Sequence, residues 1–325
     1  MTDASRTSTK AATDACIRTD LCGIALVSPV ILAAGTAGTL DETAGVTDLT
    51  RIGAVVTKSI TRSPRAGNPE PRITWTRGGM LNAIGLANPG VESFGAEIAP
   101  RAGTLPCVVI GSIAGFSIED YTVSARVMEA APGIPIAEVN VSCPNVHGGV
   151  EFGADPGALG ELVAAVRAEL ATTRLLVKLS PITVGTPHTP ADLARVACEA
   201  GADGLTLCNT IPAMGIDVRT RKPMLANITG GLSGPAVHPV VVKIVHEVYQ
   251  RFAKDAGVPI VAAGGVTRWE DAAEFILAGA TAVQVGAGSF VDPRIPTKVT
   301  KGLTRWVRSQ GAASVSELVG AIDLD

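Results

Sequence analysis

The 325-residue sequence is poor in aromatic side chains, at 3%, so it carries no stock of rings on which nucleic-acid bases could stack. It also lacks an excess of either charge. The formal net charge is −3, which leaves no electrostatic footprint for a nucleic-acid partner. No two of its six cysteines, Cys16, Cys22, Cys107, Cys143, Cys198 and Cys208, form a C-x-x-C pair, so neither a zinc nor an iron–sulfur site is written in the chain, and no metal is expected. No apolar run approaches the roughly 18 residues of a membrane span. No secretory signal pattern opens the sequence, and a reduced, cytoplasmic setting is expected.

What the sequence does hold is 46% hydrophobic residues, with 36 glycines and 21 prolines falling mostly at the ends of apolar runs. Eight such runs read as strands: Val30–Ala34, Ala54–Ser59, Cys107–Ile113, Ile136–Ser142, Leu175–Leu179, Gly204–Cys208, Pro259–Ala263 and Ala282–Val285. Helical spacing fills most gaps between them, over Asp155–Arg174, Pro190–Ala200, Pro239–Ala256 and Trp269–Ala278. Near-continuous apolar strands alternating with amphipathic helices mean a parallel sheet covered by helices, and eight units favour a closed α/β barrel, the (β/α)8 TIM barrel. An open dinucleotide-binding sheet would carry G-x-G-x-x-G after its first strand, and Gly35-Thr36-Ala37-Gly38 does not match it. Residues 1–18 read as a flexible leader, and Asp20–Val27 as a short hairpin closing one end of the fold. Residues 19–325 read as a single barrel domain with insertions at its C-terminal face.

A barrel builds its site at the C-terminal ends of its strands. Chemistry-bearing residues fall there: Lys58 after the second strand, Asn140 and Cys143 after the fourth, Lys178 in the fifth, Asn209 and Thr210 after the sixth. The densest stretch is Asn140-Val141-Ser142-Cys143-Pro144-Asn145. A thiol with a free pKa of about 8.5 needs only modest tuning to exchange protons near neutrality. Pro144 restricts Cys143 to extended backbone, and two bracketing amides suit a planar ligand rich in carbonyl and N–H groups. On this stretch alone, a buried structural thiol remains an equal reading. Lys58 and Lys178 both interrupt apolar strands. A buried lysine without a charge partner is costly, so a bound anion is the expected offset for each, and snorkelling to a strand end is the alternative. Gly264-Gly265 and Gly286-Ala287-Gly288-Ser289 end the last two strands, where backbone N–H groups can cradle a phosphate.

From about Leu21 onward the sequence resembles the class 1 dihydroorotate dehydrogenases, flavin enzymes of pyrimidine biosynthesis. The motifs are Thr57-Lys58-Ser59, Asn82 to Gly90, Asn140 to Asn145, Asn209-Thr210, Gly230-Gly231-Leu232-Ser233-Gly234 and the terminal glycine clusters. Gly67-Asn68-Pro69-Glu70-Pro71-Arg72 and Phe152-Gly153-Ala154-Asp155-Pro156 look most like the 1B subclass. That subclass works with a second subunit carrying FAD and a 2Fe–2S cluster, and passes electrons to NAD. A class 2 member would bring a membrane-associating helical segment and a serine base, and neither is read here.

The resemblance implies FMN-dependent oxidation of dihydroorotate to orotate, with Cys143 as general base. It implies that Lys58, Asn82, Ala83, Ile84, Gly85, Leu86, Asn140, Asn145, Asn209 and Thr210 bind the substrate. It implies that FMN is held at Ala34, Lys58, Ser59, Ser112, Asn140, Lys178, Cys208, Gly234, Gly264, Gly265, Gly286 and Ala287. Two positions depart from the family pattern: Ala34 stands where a serine often contacts the flavin, and Ser112 where an asparagine usually does. A homodimer, or a heterotetramer with the FAD and iron–sulfur subunit, follows from the same resemblance. Fumarate as acceptor, another dihydropyrimidine as substrate, and a non-catalytic flavin-binding subunit stay open beside it. The intact Cys143 loop argues against the last.

Overall fold

The computed structural model of the chain describes residues 15–142, 152–181 and 187–324. In chain order the strands are β1 (Thr19–Leu21), β2 (Ile24–Leu26), β3 (Val30–Leu32), β4 (Ala54–Val56), β5 (Ile73–Thr76), β6 (Gly79–Asn82), β7 (Val108–Ile113) and β8 (Ile136–Asn140). They continue as β9 (Arg174–Leu179), β10 (Gly204–Leu207), β11 (Ile211–Met214), β12 (Ile216–Asp217), β13 (Lys222–Pro223), β14 (Thr229–Ser233), β15 (Ile260–Ala263) and β16 (Ala282–Val285). β3, β4, β7, β8, β9, β10, β15 and β16 close a parallel barrel in chain order, with β16 pairing back onto β3. This is the expected (β/α)8 barrel.

Period-two alternation sorts each barrel strand into an outer face under the helices and an inner face. The lower interior is apolar. Ile31, Val56, Ile110, Ile136, Leu176 and Val261 pack together there, and Leu21 and Leu26 of the antiparallel β1–β2 hairpin plug the end. The outer faces pack on helices such as Ile118–Glu129, which buries Tyr121, Ala125 and Met128 at helical spacing and is capped by Ser117.

The boundaries differ from the sequence reading where other forces act. The helix expected over Asp155–Arg174 runs Pro156–Glu169, opened by an Asp155 cap. It stops because the Thr172 and Thr173 N–H groups donate to the Glu129 carboxylate at 2.9 and 3.0 Å, turning the chain into β9. Strands expected to reach Ala34, Ser59 and Ser142 end at Leu32, Val56 and Asn140. Their last residues leave the ladder to form the wall of a cavity.

A second sheet, antiparallel in the order β11-β14-β6-β5, lies over the mouth of the barrel. β5 and β6 are inserted after barrel strand β4, and β11 and β14 after β10, so the insertions lie at the C-terminal face as expected. Gly79 and Gly231 allow this roof to pack: a Cβ on Gly79 would overlap the Ser233 carbonyl, and one on Gly231 the Thr210 side chain.

Candidate active site

Between barrel and roof lies a cavity of about 790 Å³. That is within the roughly 300–1,000 Å³ typical of cofactor and substrate sites. The structure brings most of the sequence-derived site residues to its wall. Ala34, Lys58 and Ser59 line one side, and the loop from Asn82 through Ala83, Ile84, Gly85 and Leu86 descends from the roof. Asn140, Lys178, Cys208, Asn209 and Thr210 come from the barrel rim, and Gly264, Gly265, Gly286 and Ala287 from the last two strands. Ser112 and Gly234 are not in the wall. Ser112 is fully buried and bonds Ser59 Oγ at 2.8 Å, so it supports a wall residue. Gly234 stands behind Gly265, whose Cβ would meet the Gly234 carbonyl at 2.7 Å. Cys143 and Asn145 lie outside the described residues. On either side of them, the Gly153 N–H donates to the Val141 carbonyl at 3.2 Å.

The amides are oriented by one another. Asn209 Nδ2 donates to Asn140 Oδ1 at 2.9 Å, and the Ser142 N–H donates to the same oxygen at 3.2 Å. Asn209 Oδ1 accepts the Thr210 N–H at 2.8 Å. With its carbonyl so engaged, Asn140 presents its Nδ2 donors, which have no partner among the described residues. Tyr121 Oη fixes the same residue from behind, donating to the Asn140 carbonyl at 2.8 Å. From the roof, Asn82 Nδ2 donates to the Gly231 carbonyl at 3.3 Å, which leaves Asn82 Oδ1 available as an acceptor.

The loop after Asn82 is tied by one side chain. Asn88 Nδ2 donates to Thr61 Oγ1 at 2.8 Å and to the Leu86 carbonyl at 2.7 Å, and its Oδ1 accepts the Gly90 N–H at 2.8 Å. This holds Leu86 at φ +57°, an uncommon conformation for a branched residue, directly on the cavity wall.

The two lysines differ. Lys58 Nζ has no hydrogen-bond or ion-pair partner among the described residues. Burial, reinforced by the nearby Arg72 charge, holds its pKa below the ordinary lysine value of 10.5. The sequence reading expected a bound anion beside each lysine. For Lys178 that expectation is corrected. Its Nζ lies 3.6 Å from Glu138 Oε1 and donates to Gln284 Oε1 at 3.3 Å, so the protein itself supplies the counter-charge. Cys208 also lines the cavity, but burial pushes its thiol up to about 12, so it stays protonated near neutral pH.

The glycine clusters divide on inspection. A Cβ on Gly264 would strike Val241, and one on Gly288 the Val266 carbonyl, so packing explains both. At Gly286 a Cβ would meet nothing closer than Ala33 at 3.5 Å, so the room left there belongs to the cavity. Among the described residues no acceptor meets the backbone N–H of Gly264, Gly265, Gly286 or Ala287. Four unmet donors on one wall suit the oxygens of a phosphate.

Sequence reading missed Arg65, Asn68, Phe116, Glu138 and Gln284, which all line the cavity. Glu138 and Gln284 were legible in principle. Once β8 and β16 are barrel strands, alternation from Ile136 and Ala282 turns both inward. Arg65 and Phe116 come together across two loops, the guanidinium 4.6 Å from the ring centroid, and no local pattern announces that.

The family model described as dihydroorotate dehydrogenase matches residues 16–307. The chain is 46% identical over 306 residues to a Pelobacter propionicus protein named dihydroorotate dehydrogenase B (NAD(+)), catalytic subunit, covering 94% of this chain and 97% of that one. A Trichlorobacter lovleyi protein of the same name is 45% identical over 302 residues, covering 92% and 95%. An Aquifex aeolicus protein named putative dihydroorotate dehydrogenase A (fumarate) is 44% identical over 302 residues, covering 93% and 96%.

Proposed function

The chain belongs to the dihydroorotate dehydrogenase family, and from its cavity we propose that it holds FMN there and uses Cys143 as the base that opens the reaction. It is an oxidoreductase acting on a CH–CH bond, a dihydroorotate dehydrogenase of pyrimidine biosynthesis that converts dihydroorotate to orotate. The observation that carries the site reading is the pairing of a half-buried cation, Lys58, that has no partner among the described residues, with amides whose free groups are fixed by their neighbours. Lys58 would hold the substrate carboxylate. Asn82, Asn140 and Asn209 would match the carbonyl and N–H edge of a pyrimidine ring and fix its orientation.

The residues present fit FMN. Gly264, Gly265, Gly286 and Ala287 offer unmet donors to a phosphate, and Lys178 places a cation on the floor. When bound, the flavin supplies the two-electron acceptor that the side chains of this chain lack. Cys143 would take the proton from the substrate ring carbon, since Cys208, the described thiol on the wall, is held protonated by burial. Beyond the flavin, electrons would pass to NAD through a partner subunit carrying FAD and a 2Fe–2S cluster, because relatives named as NAD(+)-type catalytic subunits match this chain along its length. The fumarate-type relative supports fumarate as the second reading of the acceptor. A cytoplasmic homodimer, or a heterotetramer with that partner, completes the proposal. Among the described residues no helix is long and apolar enough to cross a membrane.

The test is anaerobic stopped-flow on the purified, FMN-reconstituted protein. The expected result is a yellow protein bleached by dihydroorotate, with Cys143→Ala slowing the bleaching about 10²–10⁴-fold while orotate still perturbs the flavin spectrum. A protein that takes up no flavin defeats the cofactor assignment, and a Cys143→Ala protein that bleaches at the parent rate defeats the base assignment. Reoxidation by fumarate alone would select that acceptor over the partner-dependent route to NAD.

A further inference from the structure

Four barrel strands send polar side chains into the interior at the floor of the cavity: Glu138 from β8, Lys178 from β9 and Gln284 from β16, which line it, and Thr206 from β10. Glu138 is 0% exposed. Its Oε2 accepts from Thr206 Oγ1 at 2.9 Å and from Gln284 Nε2 at 2.6 Å. Among the described residues its Oε1 has no hydrogen-bond partner, and it faces Lys178 Nζ at 3.6 Å. The Gln284 amide is fixed in one sense, because its carbonyl must take the ammonium N–H and its amide N–H must go to the carboxylate. Thr206 and Gln284 therefore each point a donor at Glu138, and Lys178 faces it with a positive charge.

We propose that Glu138 is a positioning residue for the reaction: it holds Lys178 in the cavity floor and offsets its charge, so that the floor presents a compensated cation to the bound flavin. This rests on the reading that a flavin occupies the cavity. A lysine alone beneath the ring would favour its reduced, negatively charged form strongly. A carboxylate beside that lysine opposes the same form. The pair therefore sets the flavin's poise at an intermediate value, and Glu138 lowers the potential that Lys178 by itself would raise. Neither side chain can move far, because Gln284 bridges them and Thr206 holds the far oxygen.

The test compares the parent, Glu138→Gln, Lys178→Met and the double variant, all reconstituted with FMN. Flavin content is read first by absorbance, then the midpoint potential by dye equilibration. Affinity for sulfite, which adds to a flavin ring and leaves it negatively charged, is read last. Glu138→Gln keeps the shape but removes the negative charge. It is expected to tighten sulfite binding at least about tenfold and to raise the two-electron potential by on the order of 30 mV, the equivalent of tenfold. Lys178→Met is expected to move both the other way, with the double variant between the two singles. A loosened floor without the charge role would weaken flavin retention and leave the sign of these shifts unordered. An unchanged or lowered potential in a flavin-loaded Glu138→Gln protein overturns the proposal. If Glu138→Gln does not load flavin, the double variant is compared with Lys178→Met, and a potential no higher in the double overturns it equally. A parent protein without flavin refutes the proposed function instead.

Discussion

Lys58 and Lys178 look alike in the sequence, each a single cation inside an apolar strand run. In the structure they occupy opposite kinds of environment. Lys178 sits on the barrel floor with a carboxylate at 3.6 Å and an amide carbonyl at 3.3 Å. Lys58 stands at the rim against Gly35, with no described partner and with a second cation, Arg72, near enough to lower its pKa. One cation is neutralised from within, and the other is left for what enters from outside. The difference lies in the partner strands: β8, β10 and β16 carry Glu138, Thr206 and Gln284 toward Lys178, while the wall beside Lys58 carries Ala34 and Gly35.

Removing each lysine should therefore have crossed effects. Lys178→Met leaves Glu138 fully buried without its counter-charge, so the ligand-free protein should lose about 3–5 kcal/mol of stability in chemical or thermal melts. Lys58→Met removes a half-buried cation that has no partner among the described residues and should leave the same melts unchanged or raised. Equal destabilisation by both substitutions would erase the distinction drawn between them.

The ligand assay should reverse the order. Lys58→Met should weaken orotate binding by about 2–4 kcal/mol, on the order of 30- to 700-fold, because the anion loses its buried counter-charge. Lys178→Met, already balanced by Glu138 in the parent, should weaken it far less. Spectral titration of the flavin with orotate measures both, and a larger loss from Lys178→Met would place the carboxylate at the floor.

The barrel was legible because eight apolar runs alternate with helical spacing, and that pattern has few solutions. The wall was legible wherever a strand end carried a polar residue, as at Lys58, Asn140 and Asn209. What escaped was of two kinds. Glu138 was hidden because an apolar strand was read as a run rather than as two faces, and position 138 belongs to the inner one. Arg65, Asn68 and Phe116 were hidden because their places depend on where loops cross, which no short-range period encodes. The roof was partly readable: Asn82 to Gly90 stood out as a motif, but its knot at Asn88 depends on Thr61, 27 residues away. The ends of β3, β4 and β8 were overrun because the residues that leave the ladder for the wall are themselves strand-like.

The smallest expected effect sharpens the comparison most, because it reads one proton. In the ligand-free protein the pKa of Lys58 lies below the ordinary lysine value, with burial as the larger cause and Arg72 as the second. A bound carboxylate would place an opposite charge beside the ammonium and raise that pKa again. Between the free and bound values, binding must therefore take up a proton. Orotate affinity should be level below the free value and should then fall by up to tenfold, about 1.4 kcal/mol, per pH unit above it. Stability of the ligand-free fold carries the opposite slope. In the window between the depressed native pKa and 10.5 the unfolded chain holds more protons than the native one, so stability should rise with pH there. Because Cys143 is the proposed base, the measurement is made in the Cys143→Ala protein so that ionisation of that thiol cannot enter, with Lys58→Met in that background as the control. Both slopes should vanish in the control. An affinity that stays flat through the window while Lys58 is present would mean that the carboxylate is not held by Lys58.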